Sequence, residues 1–395
     1  MLITKVLPFP CPKCGSTGRF GNVHVVKDIL IRGCNACGVR MKTHLPHLHK
    51  KVLYLDQSFL SLAFKDKDAR YVEAVRRIAD LTHRQLLVCP RSDIHEHETH
   101  LWQADSKAAL WNFVKRTARG NEFEQAYYIK DAQLNRSFKA FCDGTPIAHT
   151  VDRHDALSRD IDEWESYFYV EVGSYKSDWD AVRSGKKAGV ARLVGLFDEW
   201  RSSTNTFNQD RILEADGYAG GMIILFDRSM KLLVQGCLME YFNSSIEGNF
   251  VRHLLAAAKD RFGGEEPFSK VREYFSSEYF RQTPYVDIGC QIYALLRARV
   301  RMGQFANQED AVKRLSGFFF DVNALSIFGP YCDGIFVDRE MDRWLSDQRL
   351  SIGSRYPFKV FSAENFSKFN AFLDDVEVGE TEHIKRGVES IAGKQ

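Results

Sequence analysis

No stretch of this 395-residue chain holds the roughly 18 consecutive apolar residues that a membrane-spanning helix needs. Its first residues carry a short apolar run broken by Pro8 and Pro10 and then a cysteine pair, unlike a signal peptide or an anchor. The expectation is a cytoplasmic protein with no membrane partner. An excess of one charge is missing too: 54 Lys and Arg against 52 Asp and Glu leave a formal net charge of +2. That excludes a global basic field, so any nucleic-acid surface must be local. No period repeats, and no low-complexity linker interrupts the chain. The phosphate-loop pattern GxxxxGK followed by Ser or Thr is absent, and His95, His97 and His100 lack the HExxH spacing of zinc proteases.

Cysteine is modest but unevenly placed. Five of the nine, Cys89, Cys142, Cys237, Cys290 and Cys332, stand singly in apolar contexts, as buried reduced thiols do. The other four form Cys11-Pro-Lys-Cys14-Gly and Cys34-Asn-Ala-Cys37-Gly, two CxxCG turns separated by 19 residues. Each turn presents two thiolates to one ion, and its glycine permits the positive φ the turn requires. The segment between them alternates apolar and polar residues as a two-stranded ribbon does. Residues 1–50 resemble a zinc ribbon, in which Cys11, Cys14, Cys34 and Cys37 hold a structural zinc. With too little core to fold alone, such a segment draws folding energy from the metal. This is also the most basic part of the chain, and Arg40, Lys42, Lys50 and Lys51 are its candidate nucleic-acid contacts, although charge runs also arise as solvated faces.

Beyond it, Val52 to Leu55 reads as a short apolar strand ending in Asp56. A helix with apolar residues at helical spacing and a second apolar strand, "LLVCP", follow. Strand, helix and strand with short links begin a parallel sheet, and ligands of such sheets bind beyond the carboxyl ends of the strands, where Asp56 stands. Ser92 then caps a helix carrying Glu96 and Glu98, which point about 200° apart, so only one of them can face a site at Asp56.

Two motifs here, "YLDQSFLSL" and Pro90-x-Ser92-x-x-His95-x-x-Glu98, resemble the first two motifs of PIN-like nuclease domains. The resemblance selects Glu98 over Glu96, with Ser92 and His95 as supporting residues. It continues at residues 315–375, where Asp321 at a helix start precedes Asp338 at a strand end by 17 residues. It implies an α/β fold: a parallel sheet sandwiched by helices over 51–395, with its core at about 51–110 and 315–375 and a large helical insertion at about 101–315. It also implies Asp56, Glu98, Asp321 and Asp338 as catalytic ligands of Mg²⁺ or Mn²⁺, with Asp342 one turn beyond Asp338 in support. Clustered acids raise one another's pKa unless cations sit among them, and the cations lower the pKa of an attacking water.

"DGIFVD" sets Asp333 and Asp338 at the two ends of one strand. Five steps at about 3.3 Å span roughly 16 Å, too far for ligands of one metal site, so Asp333 belongs at the strand's entry. The middle of the chain reads as successive helices, among them one over "RDIDEWESYFYVEV" and a buried one continuing from "MIILF". Its arginines Arg297, Arg299 and Arg301 are candidate phosphate contacts. The last segment reads as a strand and a helix capped by Ser362.

The expected function is a divalent-metal-dependent endonuclease acting on RNA rather than DNA, in toxin or defence settings as the resemblance implies. Nucleic acid is its expected partner, with a regulatory protein or a second copy of the chain as further kinds. The alternative is a non-catalytic nucleic-acid-binding or scaffold protein that keeps the fold without the chemistry.

Overall fold

The computed structural model describes residues 1–100, 102, 104–147, 151–165, 179–243 and 245–393. Two four-stranded sheets organise it. The first is antiparallel, in the order β1 (Lys5–Val6), β2 (Phe20–Val26), β3 (Ile29–Cys34) and β4 (Arg40–His44). The second is wholly parallel, built from β5 (Lys51–Leu55), β6 (Leu87–Val88), β7 (Gly334–Phe336) and β8 (Lys359–Phe361) in the spatial order β6-β5-β7-β8.

The parallel sheet is buried on both faces, which is why its central strands read as apolar runs rather than as alternating patterns. Side chains still alternate in direction, and here they feed two separate cores. Val52, Tyr54, Val88 and Ile335 join the larger core beneath the helical middle of the chain. Leu53, Leu55, Leu87, Phe336 and Phe361 join a second core with Phe59, Ile78 and Phe369 from the opposite helices. Gly334 faces that second core where a Cβ would come within 2.7 Å of the Phe361 ring. Leu110 and Trp111, from the helix Ala104–Ala118, pack there as well.

The described residues between 104 and 315 are mostly helical, and "MIILF" lies inside the 28-residue helix Phe207–Val234, started by a Thr206/Gln209 capping box. Residues 159–165 differ from the expected helix: they form turns and bends, and residues 166–172 of that segment lie outside the described ones. Tertiary bonds override helical propensity there, because Trp164 donates to the Pro46 carbonyl at 2.7 Å and Asp162 accepts from the Lys50 amide at 2.8 Å. The arginines of the buried helix Pro284–Arg301 are also reassigned. Arg297 pairs with Glu214, Arg301 pairs with the buried Asp210, and Arg299 lies 4.3 Å from the Trp344 ring centre. Internal partners occupy them, so they are not phosphate contacts.

The antiparallel sheet is clasped by the helix Glu382–Ala392. Asn22 on β2 donates to the carbonyls of Ser390 (3.0 Å) and Ile391 (2.9 Å) in the last turn, where the Ser390 carbonyl also accepts from the Gly393 amide at 3.2 Å. Leu30, Leu45, Leu48, Trp164 and Ile391 close a small core between the two. Among the described residues, no helix is long and apolar enough to cross a membrane.

Candidate functional site

The four cysteines converge at one end of the antiparallel sheet. Their sulfurs all lie within 4.8 Å of one another, with Cys11–Cys37 and Cys14–Cys34 each 3.8 Å apart. A disulfide needs about 2.05 Å. Four bonds of about 2.3 Å at tetrahedral angles place sulfurs about 3.8 Å apart, so the spacing fits a zinc ion. Gly15 (φ 71°) and Gly38 (φ 70°) take the left-handed conformation, and their amides donate back to the Cys11 and Cys34 carbonyls, closing each turn.

At the carboxyl ends of the parallel strands the sequence places polar residues in register. Asp56 follows β5, Ser362 follows β8, and Asp338 comes two residues after β7. The Asp56 amide donates to the Phe336 carbonyl at 3.0 Å, so the tips of β5 and β7 adjoin. Each aspartate caps the next helix. Asp56 accepts from the Ser58 amide and hydroxyl (3.3 and 2.6 Å), and Asp338 accepts from the Met341 amide at 2.7 Å. Burial pushes both carboxyls above the usual carboxylate range, and the charge of Asp338 pushes Asp56 further up. Asp342, one turn beyond Asp338, is buried and accepts from the Ser362 hydroxyl at 2.5 Å, with the Asn365 amide 3.4 Å away. Asn365, not Ser362, stands at the start of Phe366–Val378; the Ser362 hydroxyl donates to Asp342 while its oxygen accepts from the Glu364 amide at 3.1 Å, in the turn before that helix.

The helix Asp93–His100 packs against the tip of β5 through His95. This ring is 1 % exposed and stacks on Tyr54 with centroids 4.8 Å apart. Its Nε2 donates to the Leu55 carbonyl (2.7 Å) while its Nδ1 accepts from the Ser92 amide (3.0 Å), an arrangement that requires the neutral ring. Tyr54 in turn bonds Ser92 at 3.1 Å. Ser92 and His95 thus pin the peptide that leads into Asp56.

Glu98 is half-buried on the same helix, and its charge, with that of Asp56, acts on Tyr54. Glu96 points elsewhere, into a setting with Arg91, Glu122 and Lys115. Asp321 lies in the first turn of Phe318–Phe328, and the neighbouring Phe320 ring is 6.4 Å from His97. Among the described residues, only the four cysteines gather three or more ligand atoms within 4.8 Å. Asp56 and Asp338 stand at strand tips and Glu98 and Asp321 on helices, and no three of the four gather to that distance.

Asp333 lies at the opposite end of the sheet. Its carboxylate accepts from Lys51 (3.0 Å), Arg153 (2.8 Å) and the Val52 amide (2.8 Å), tying the entries of β5 and β7 together. Asp333→Ala is expected to lower the unfolding free energy by about 2–3 kcal/mol by taking the acceptor from the Val52 amide and the carboxylate from Arg153, which keeps only its bond to the Lys50 carbonyl. Urea denaturation measures this, and an unchanged midpoint would contradict the assignment.

Of the four basic candidates, Lys50 is corrected. It is 1 % exposed, donates to the Glu163 carbonyl at 2.9 Å, and burial lowers its pKa to about 8, so it offers no surface to a polyanion. Lys51 is engaged with Asp333, while Arg40 and Lys42 are exposed on β4. Sequence reasoning missed Asn365 and the bond from Ser362 to Asp342. The signal available was "KVFS", an apolar triplet ending in a polar residue like "YLD" and "FVD".

The chain is thus a mixed α/β protein with a helix-flanked parallel sheet and a four-cysteine cluster compatible with zinc. No protein-family model, curated protein or solved structure matches it.

Proposed function

We propose that the protein is a PIN-like, divalent-metal-dependent endonuclease that hydrolyses phosphodiester bonds, in RNA rather than DNA, with a structural zinc in its ribbon. The supporting observation is the pairing of Asp56 and Asp338 at adjoining strand tips, both half-buried and each held by the helix it caps. Two carboxyls raised by burial, one of them raised further by the charge of the other, suit a shared cation. Asp56 and Asp338 would hold Mg²⁺ or Mn²⁺, with Glu98 and Asp321 completing the set. The metal would neutralise the acids and acidify a water for attack on phosphorus. Arg339, exposed and next to Asp338, would meet the phosphate backbone. A role as a toxin or a defence effector follows from the resemblance in its motifs.

The second reading, a nucleic-acid-binding or scaffold protein without chemistry, draws on no three of the acids gathering within 4.8 Å. A cleavage panel of tRNA, single-stranded RNA and single-stranded DNA, with and without Mn²⁺, separates the two. Mn²⁺-dependent cleavage lost in Asp338→Asn supports the nuclease. Binding without cleavage under every condition leaves the second.

The pH dependence of folding provides a test of the His95 clasp. Burial lowers its pKa from 6.5 to about 4. Above pH 6.5 the ring is neutral in both folded and unfolded chains. As pH falls below 6.5 the unfolded chain takes up a proton that the folded one refuses, so stability is lost between about 6.5 and 4, by at most about 3 kcal/mol. Comparing denaturant midpoints at pH 7 and pH 4.5 in wild type and His95→Gln measures it; equal slopes in the two would rule out the clasp.

A further inference from the structure

β4 is an outer strand of the ribbon sheet, and all five of its residues, Arg40 to His44, are exposed. Its register with β3 pairs Gly33 with Arg40 and Ile29 with His44. Flanking bonds fix which residues face inward: the Cys34 amide donates to the Val39 carbonyl (3.1 Å) and the Leu45 amide to the Asp28 carbonyl (2.7 Å). In an antiparallel ladder such pairs alternate with pairs whose main-chain groups turn away. Val39, Met41, Thr43 and Leu45 therefore spend their amides and carbonyls on β3, whereas Arg40, Lys42 and His44 direct theirs outward. With a side-chain period of two, the same three residues also share one face.

The open edge thus carries its unused hydrogen-bonding groups and its basic side chains on the same residues. Among the described residues neither Arg40 nor Lys42 has an ion-pair partner, and His44 has only Asp28 at 3.7 Å, with 76 % of its side chain exposed. A second copy pairing here would set like charges across from one another, which destabilises a sheet, whereas carboxylates there would stabilise it. Single-stranded nucleic acid would need a run of large stacking platforms, and β4 has no Phe, Tyr or Trp.

We propose that β4 is a docking edge for an acidic, extended polypeptide segment that joins the ribbon sheet as an added strand. Its carboxylates, at alternate positions, lie beside Arg40, Lys42 and His44, and its backbone takes up the outward amides and carbonyls of those residues. This partner site is independent of the strand tips at Asp56 and Asp338, since the ribbon joins the parallel sheet at the entry of β5.

The test is fluorescence anisotropy on the full-length, zinc-loaded protein. The probe is a labelled nine-residue peptide with glutamate at three alternate positions and valine or threonine between them. The expected result is saturable binding that weakens about tenfold in Lys42→Glu. The same peptide with its glutamates contiguous, or with its edge-facing amides N-methylated, is expected to bind much more weakly. A peptide with lysine replacing glutamate should bind Lys42→Glu better than it binds the wild type. Equal binding of alternate and contiguous peptides would reduce the edge to a charge patch. No binding, or displacement of the peptide by a single-stranded RNA oligonucleotide that binds more tightly, would overturn the proposal.

Discussion

Asp56→Asn is expected to lower Mn²⁺-dependent phosphodiester cleavage by more than about 100-fold while leaving the fold intact. Loss of residues that merely orient a metal ligand already costs up to about 100-fold, so loss of a ligand should exceed that. Asparagine is as good a helix cap as aspartate, so the Ser58 contacts that begin the helix Gln57–Phe64 survive the change. The substitution also removes a carboxyl that ionises against burial and against Asp338, so the melting temperature in chelator should stay level or rise. Mn²⁺ provides the converse readout. At 100 times its dissociation constant it should stabilise the wild type by about 2.7 kcal/mol, and it should stabilise Asp56→Asn far less. Cleavage undiminished in Asp56→Asn would sink the nuclease proposal, and an Mn²⁺ shift of equal size in both proteins would remove Asp56 from the metal site.

Replacing Cys11 and Cys14 together by serine is expected to abolish zinc binding and unfold the ribbon, leaving the helix-flanked sheet standing. The ribbon's own apolar cluster is small, centred on Leu7 and Phe20 beside Cys11 and Cys34. Structural zinc contributes about 10–16 kcal/mol of apparent binding free energy at neutral pH, far more than so few apolar contacts. The wild type should carry one zinc per chain by elemental analysis and the variant none. Trypsin should then cut the variant quickly at Lys13, Arg19 and Arg32. The two large cores draw on no ribbon residue, so a protease-resistant fragment beginning near Lys51 should persist. Full protease resistance of the zinc-free variant would refute the structural role.

What the sequence made legible was carried by short patterns. "VLYLD" announced a strand and its exit because a buried parallel strand has to be apolar throughout and can turn polar only where it ends. The two CxxCG turns announced their own geometry, and the length of "DGIFVD" was enough to send Asp333 and Asp338 to opposite ends. Contacts between distant segments were harder. Lys50 reads as part of a basic run, yet residues 162–165, more than a hundred positions later, close over it. Asp342 finds Ser362 across 20 residues, a pairing that no local periodicity encodes. Glu96 and Glu98 share one helix, and which of them faces Asp56 depends on how that helix is rolled. The roll is set by His95 on the Leu55 carbonyl, a tertiary bond invisible to hydropathy. The strand tips and the cysteine cluster were therefore readable, while the bonds that hold Asp342 and the Asp93–His100 helix in place were not.

The bond from Asn22 to the Ile391 carbonyl joins residues 369 positions apart. At about 5–20 residues per second, the ribosome makes Asn22 roughly 20–70 seconds before its acceptor exists. During that interval the ribbon has no helix Glu382–Ala392 to lean on, and the four cysteines must keep it in shape. Early zinc delivery would then decide how many chains reach the clasped state, making yield during synthesis more sensitive to zinc supply than the finished protein is.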